Sequence, residues 1–476
     1  MASYTVPFFV NGKEHIAERT FDVKSPVTGD VLHACSSASA QDVTTAVETA
    51  AEAFKTWKRM TPSRRRDIFL KTAEVMERRR EELAKTMMEE TGAAADWAGF
   101  NITVTVDMLK DLAGRISSVE GTFPPTVDEN CGAIILKEPL GVVLGIAPWN
   151  APYILATRAV AFPLAAGNTV ILKVSELSPR TIWGVASCFH EAGLPAGVLN
   201  TLVHEPANAA SITSQLIENP HIKKINFTGS TGVGRIIAKL AGQHLKPVLL
   251  ELGGKAPAIV WEDADLEQAA QACVLGAFLH AGQICMSTER IIVHKNVAAE
   301  FEKKLAAAAE AIFPSSGNAP TLITEVGVEK NKKLVQDALS KGAEILVGDV
   351  NTAGSPAKTS MRPIILKGVT TSMDIYQTES FGPTVSIIEV DNEEDAIRIA
   401  NDTEYGLTSS VFTENLRLGL RFAKEIETGA VHINSMTVHD EATLPHGGTK
   451  ASGFGRFNTS TGLEEWVRTK NVTFKY

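Results

Sequence analysis

Apolar residues recur every three or four positions over 41–57 and again over 61–90, among Glu, Lys and Arg, which predicts two amphipathic helices after a short β-rich start. Pro62 suits the first turn of the second helix, where a backbone N–H has no intrahelical partner. The texture changes near Leu140. Short β-rich runs at 142–146, 169–172, 198–202, 224–227 and 248–251 then alternate with segments of helical period such as 178–192 and 232–243. Strand, helix, strand in succession predicts an α/β fold with a parallel sheet covered on both faces. Ligands bind such sheets beyond the carboxyl ends of the strands. A second alternating stretch, from about 256 to 430, has candidate strands at 258–261, 290–293, 385–390 and 409–412 and reads as a second α/β unit, with the boundary near Gly253-Gly254. The Pro/Gly/Ser-rich patch 314–320 predicts a surface loop, and the β-like tail 471–476 an edge strand able to extend a sheet in a partner.

Composition narrows the classes. A chain of 476 residues, 44 % hydrophobic and 21 % charged, has the balance of a folded globular protein with room for two or more cores. A net charge of -9 with scattered basic residues leaves no electrostatic footprint for nucleic acid or an anionic membrane. No apolar stretch reaches spanning length, and the N-terminus lacks the basic start and apolar block of a signal peptide. Cys35, Cys131, Cys188, Cys273 and Cys285 are far apart, odd in number and form no C-x-x-C pair, which argues against a disulfide framework and a zinc site. The expectation is a cytoplasmic protein that binds no metal.

Several residues could carry chemistry, each with a bland alternative. Cys285 follows Gly282-Gln283-Ile284. A lone cysteine is ordinarily a small buried hydrophobe, but a helix break at Gly282 would set the thiol near backbone N–H groups that stabilise a thiolate. Glu251 ends an apolar strand ahead of Gly253-Gly254, which fits a base in a cleft or an exposed carboxylate at a strand end. The turn Phe227-Thr228-Gly229-Ser230-Thr231-Gly232-Val233-Gly234 can offer N–H groups to a pyrophosphate, although its glycine spacing is not the usual dinucleotide fingerprint. Lys173 and Glu176 suit ribose hydroxyls or a solvated charged turn. The Asn150 amide could serve an oxyanion or cap the following helix. Their shared theme is a polar group just past the carboxyl end of a parallel strand, which the separate bland readings leave unexplained.

Taken in order, Pro148-Trp149-Asn150, Lys173-Val174-Ser175-Glu176, Phe227-Thr228-Gly229-Ser230, Glu251-Leu252-Gly253-Gly254-Lys255, Gly282-Gln283-Ile284-Cys285, Glu379-Ser380-Phe381-Gly382-Pro383, Asn401-Asp402-Thr403-Glu404-Tyr405-Gly406-Leu407 and Gly447-Gly448-Thr449-Lys450 with Ser452-Gly453-Phe454-Gly455-Arg456 resemble the aldehyde dehydrogenase superfamily across essentially the whole chain. Trp97-Ala98-Gly99-Phe100-Asn101 and Cys285-Met286-Ser287-Thr288-Glu289-Arg290 look most like its salicylaldehyde and vanillin dehydrogenase group.

The resemblance implies the family's fold: two doubly wound parallel-sheet domains with a small β oligomerisation extension. It places an NAD-binding domain at 1–252 with the extension near 118–138, a catalytic domain at 253–430, and a return to the cofactor domain with the oligomerisation strand at 431–476. It implies a homodimer or homotetramer. By similarity Cys285 is the nucleophile, Asn150 and the Cys285 backbone N–H hold the oxyanion, and Glu251 activates the water that releases the acid. Ile146, Trp149, Lys173, Glu176, Gly229, Ser230, Gly253, Glu379 and Phe381 would bind the cofactor. Glu176 favours NAD, since a carboxylate accepts from a ribose 2′-hydroxyl and repels a 2′-phosphate. Trp97, Arg158, Met286 and His446 would border the substrate, with a structural ion pair the alternative for Arg158 and a surface imidazole for His446. The expected substrate is an aromatic aldehyde. Three departures stand out: Val174 in place of the usual proline, expected to loosen the turn; Met286-Ser287 in place of a smaller pair; and a short 314–324 region. Two other readings remain, a relative that passes its thioester to coenzyme A, and an idle scaffold on the same fold.

Overall fold

A computed structural model describes residues 4–350 and 357–476. Its first large sheet has the strand order Gly453–Phe454, Val248–Glu251, Ile222–Thr228, Val142–Ile146, Thr169–Lys173, Leu199–Leu202. The five longer strands are parallel, while Gly453–Phe454 returns antiparallel on the edge. Every residue of Val142–Ile146, Thr169–Lys173 and Leu199–Leu202 is buried, because helices cover both faces. The chain builds outward from Val142–Ile146 in one direction, then returns to add Ile222–Thr228 on its other side. That reversal opens a crevice at the carboxyl ends of these two neighbours.

The second sheet has the order Glu344–Val347, Ile364–Lys367, Thr384–Val390, Thr288–His294, Ala256–Val260, Thr408–Phe412, Ala430–Ile433, parallel except for Glu344–Val347. A boundary at 430 would therefore cut the first residue of an edge strand that runs to Ile433. Each face of this sheet packs its own apolar cluster, one around Ile259, Ile292 and Val411, the other around Val260, Ile291 and Phe412.

Helix Ala40–Trp57 starts with a capping box in which Ser39 and Asp42 satisfy each other's N–H groups. The helical pattern over 61–90 divides into Pro62–Arg78 and Arg80–Thr91. Arg79 leaves helical geometry at φ -95° and ψ 13°, and its guanidinium donates to Glu82 and to Ser187 Oγ on a neighbouring helix. Helix Ala95–Arg115, not among the predicted elements, packs against both segments and supplies Trp97 to the site. Helix Pro152–Ala165 is buried at every position.

The tail differs from expectation. Its strand starts earlier, at Val467–Lys475, and pairs antiparallel within the chain with Cys131–Pro139, from Val467 opposite Pro139 to Lys475 opposite Cys131. All five cysteines are free thiols. Among the described residues no helix is long and apolar enough to cross a membrane, and no cluster of three or more His, Cys, Asp or Glu could hold a metal ion.

Candidate active site

The two sheets meet the same cleft with opposite ends. From the first come carboxyl ends: Asn150 lies past Val142–Ile146, Gly229 and Ser230 past Ile222–Thr228, and Glu251 closes Val248–Glu251. From the second come amino ends, since Cys285 precedes Thr288–His294 and Glu379 precedes Thr384–Val390. The strand-end theme thus holds for half of the site; the sulfur and Glu379 enter from the other sheet. The helix break at Gly282 is present and longer than one residue. After Leu266–Phe278, His280, Ala281 and Gly282 all take positive φ, at 49°, 56° and 71°. This left-handed run turns the chain out of the helix, and the Asn150 Nδ2 donates to the Gln283 carbonyl at 3.0 Å, fastening the Cys285 loop to the first sheet.

The electrostatics differ from a preformed thiolate site. Burial, with the carboxylates of Glu251 and Glu379 nearby, pushes the Cys285 thiol well above its ordinary value, against the pull of Arg158. Low-dielectric surroundings and two anions outweigh one cation, so the sulfur rests as a thiol. Glu251 is 1 % exposed. Burial pushes its carboxyl up, but the contact with His446 and the charge of Arg158 more than offset this and hold it below the ordinary carboxylate value. His446 Nε2 lies 2.5 Å from Glu251 Oε1, and the Thr228 hydroxyl donates to Oε2 at 3.3 Å.

On one side of Cys285 a cleft of about 280 Å³ is lined by Trp149, Asn150, Gly229, Ser230, Glu251, Gly253, Glu379 and Phe381. A Cβ on Gly253 would fall 2.7 Å from a Glu379 oxygen, so a side chain there would close the cleft. The Glu379 carboxylate accepts from the Gly254 N–H at 2.8 Å, and burial with Glu289 beside it pushes its carboxyl up to about 7. Glu289 accepts from the N–H groups of Ser380 and Phe381 and is paired with buried Lys255, which fixes the loop carrying Glu379 and Phe381. Lys173 and Glu176 are not brought into this cleft. They sit at the end of the next strand, where Lys173 is buried and Glu176 faces a separate hollow beside Ser25 and Lys358. Ile146 is buried in its strand and lines neither. The open glycines, helix start and carboxylates of the cleft fit a dinucleotide.

The opposite side of Cys285 opens into a smaller chamber that shares Asn150, Leu155 and Glu251 with the cleft. All four expected substrate residues, Trp97, Arg158, Met286 and His446, line it. Arg158 is also an ion-pair residue: its guanidinium donates to Asp440 Oδ2 at 2.6 Å and lies 3.8 Å from Glu251. Trp97 Nε1 donates to the Asn150 carbonyl at 3.0 Å and stacks on Phe100 and His280. Phe100, named above only within the Trp97 motif, also lines the wall, as do Val438 and Asp440, which were not singled out by sequence, although a buried arginine on an apolar helix is itself a signal that a carboxylate must face it. At Val174, the N–H donates to the Leu202 carbonyl at 2.8 Å, a bond proline could not make. The departure ties this turn to the next strand rather than loosening it.

The architecture has close counterparts. The chain is 43 % identical over 477 residues to a vanillin dehydrogenase of Pseudomonas fluorescens, covering 99 % of this chain and 98 % of the relative. It is 42 % identical over 465 residues to a salicylaldehyde dehydrogenase of Pseudomonas putida, covering 96 % and 95 %. The crystal structure of a salicylaldehyde dehydrogenase from Pseudomonas putida G7 complexed with salicylaldehyde superposes with a TM-score of 0.95 at 41 % identity, covering 99 % of this chain and 98 % of that one. The model of the aldehyde dehydrogenase family matches residues 13–472. A thiol, an amide and a buried carboxylate gathered where two α/β sheets meet thus have their place in a known architecture, and the chain belongs to the aldehyde dehydrogenase family.

Proposed function

We propose that the protein oxidises an aromatic aldehyde to its carboxylic acid with NAD, through a thioester on Cys285. The observation that carries this reading is the placement of Cys285 between two cavities, one walled by Glu379, Phe381 and Gly229, the other by Trp97, Phe100 and Arg158. Glu251, which faces both, takes the proton of the thiol as sulfur attacks the aldehyde carbon. The Asn150 amide carries two hydrogens, of which the bond to Gln283 uses one, leaving the other for the oxyanion. Losing such a donor typically lowers the rate roughly 10²–10³-fold. When bound, the nicotinamide supplies the hydride acceptor that turns the adduct into a thioester. Glu251, once it has given up the thiol proton, deprotonates water, whose oxygen displaces sulfur from the acyl carbon.

Glu379 and Phe381 would hold the nicotinamide ribose, Gly229, Ser230 and Gly253 the pyrophosphate, and Lys173 and Glu176 the adenosine ribose, with Trp149 and Ile146 packing nearby. Glu176 supports NAD over NADP. The relatives named for vanillin and salicylaldehyde, and three aromatic rings at the chamber (Trp97, Phe100 and, behind Arg158, Phe457), support an aromatic substrate. We further infer a cytoplasmic homodimer or homotetramer, with the apolar side chains of Ile134, Leu136, Val472 and Phe474 left exposed on the Cys131–Pro139/Val467–Lys475 pair as its seam. The domain limits follow the chain's passage at 252–253 from one sheet to the other.

The test is a comparison of kcat/KM for benzaldehyde-type and linear aldehydes, with NAD and without coenzyme A. Acid formation with a clear aromatic preference is expected, together with its loss in Cys285→Ser. A linear preference would overturn the substrate, and a strict need for coenzyme A the hydrolytic step.

A further inference from the structure

Oxidation of an aldehyde to a carboxylate by a nicotinamide releases two protons per turnover, one from the thiol as sulfur adds to the aldehyde and one from the water that hydrolyses the thioester. On the reading above both pass through Glu251, whose side chain is 2 % exposed. A base sealed this well must hand its proton on before the next cycle. Among the described residues that contact its carboxylate, Thr228 offers a hydroxyl with no useful basicity and Arg158 a guanidinium that is already protonated. His446 is different. Its Nε2 lies 2.5 Å from Glu251 Oε1, and its imidazole is 10 % exposed, at the boundary between the chamber and the exterior.

The backbone of His446 is fixed by a reciprocal pair of bonds with Phe457, and its imidazole by the contact with Glu251. The His446 N–H donates to the Phe457 carbonyl at 3.0 Å and its carbonyl accepts from the Phe457 N–H at 2.8 Å. The Phe457 ring in turn carries the Arg158 guanidinium, 5.2 Å from its centroid. Charged and titratable groups approach from every side: Glu251 from the first sheet, Asp440 from the loop before it, His432 from the edge of the second sheet, Arg456 beside Gly447, and Arg158 behind Glu251.

We propose that His446 is the proton relay of Glu251, taking the proton from its carboxyl and releasing it to solvent. This rests on the reading of Glu251 as the hydrolytic base. In the step, the oxygen of water bonds to the acyl carbon, the C–S bond breaks with its electron pair on sulfur, one water proton passes to Glu251, and the other passes to sulfur as the acid ionises, restoring the Cys285 thiol. The O–H bond of Glu251 then breaks as an N–H bond forms at His446 Nε2, and the imidazolium loses a proton to solvent. Glu251 is returned as a carboxylate with no net change at the histidine.

The variant His446→Phe fills the same space without a titratable group, and His446→Gln keeps a hydrogen bond without the relay. In both, hydride transfer in the first turnover should fall far less than steady-state turnover, giving a burst of reduced cofactor equal to the number of sites. Steady-state kcat should then fall on the order of tenfold or more, and intact-mass analysis of quenched protein should show the acyl group accumulating on Cys285. Added imidazole should restore turnover in His446→Ala, and the kcat–pH profile should lose its dependence on that side chain. Parent turnover and an unchanged pH profile in His446→Phe and His446→Gln would overturn the relay, as would faster turnover, which would mean that His446 obstructs the base. An equal fall in burst and steady state, without rescue, would assign a purely structural role and overturn it too. If Glu251→Gln still formed acid at the parent rate, the reading of Glu251 itself would fail, an outcome separate from all of these.

Discussion

Around Cys285 the buried cation is Arg158, set between Asp440 at 2.6 Å and Glu251 at 3.8 Å. A guanidinium this buried stays charged only because two carboxylates face it, and removing one partner of such a pair usually costs about 3–5 kcal/mol. Sequence offered an ion pair as one reading of Arg158 but not the partner, 282 residues away in a loop without periodicity. Glu251 was legible as a motif residue and His446 as a border of the substrate site, while their contact was not, because it depends on how the second sheet's edge folds back over the first. Glu379 carries a pH prediction. Its carboxyl is pushed up to about 7 by burial and by Glu289. Between the unfolded value near 4.5 and about 7, the folded chain binds more protons than the unfolded one, so stability should decline as pH rises through that window and then level off. The ionised form accepts a stronger hydrogen bond from a ribose hydroxyl, so NAD should bind more tightly as pH passes about 7. Titrating NAD affinity by fluorescence from pH 5.5 to 8.5 checks this; Glu379→Gln should flatten both trends.

At the scale of elements, the strands of the first sheet were visible as short apolar runs, since strands buried on both faces lack alternation but are bounded by polar turns. Helix Pro152–Ala165 lies at the opposite limit. With every position buried it has no polar face, and its assignment from sequence rested on its place after Asn150. The segment 279–282 shows what local reading misses. A glycine marked the break, but His280 and Ala281 share its left-handed geometry, held there by packing of the imidazole against Trp97 and Trp149. Gly282 cannot be replaced cheaply: a Cβ would lie 2.1 Å from the Gly382 carbonyl oxygen at φ 71°. Left-handed backbone alone costs a residue with a Cβ roughly 1–2 kcal/mol, and the clash must also move the loop bearing Phe381. Gly282→Ala should therefore lower kcat/KM far more than it lowers the denaturant midpoint, a difference that paired kinetics and urea titrations will measure. Equal, small effects on both would show that the loop accommodates the methyl group.

For the whole molecule, two α/β units were foreseeable from two stretches of strand–helix alternation, and the cleft from the general behaviour of parallel sheets. Less predictable was that the sheets would oppose carboxyl ends to amino ends, because strand polarity relative to a neighbouring sheet is set by packing between layers and leaves no trace in periodicity. The same holds for the tail, whose strand could be seen but whose in-chain partner, more than three hundred residues earlier, could not.

One consequence of the divided cleft concerns how the protein fails. Glu251 ends a strand of the first sheet, whereas Cys285 leads into a strand of the second while packing, with Ile284 and Met286, on the first sheet's apolar core. A slight slippage between layers would spoil the alignment of acid-forming groups while each layer kept its helices and strands. Under gentle warming or dilute urea, catalysis should be extinguished before circular dichroism changes, and saturating NAD, which would clasp both layers, should bring the two curves together. Coincident curves without NAD would mean that the layers melt as one.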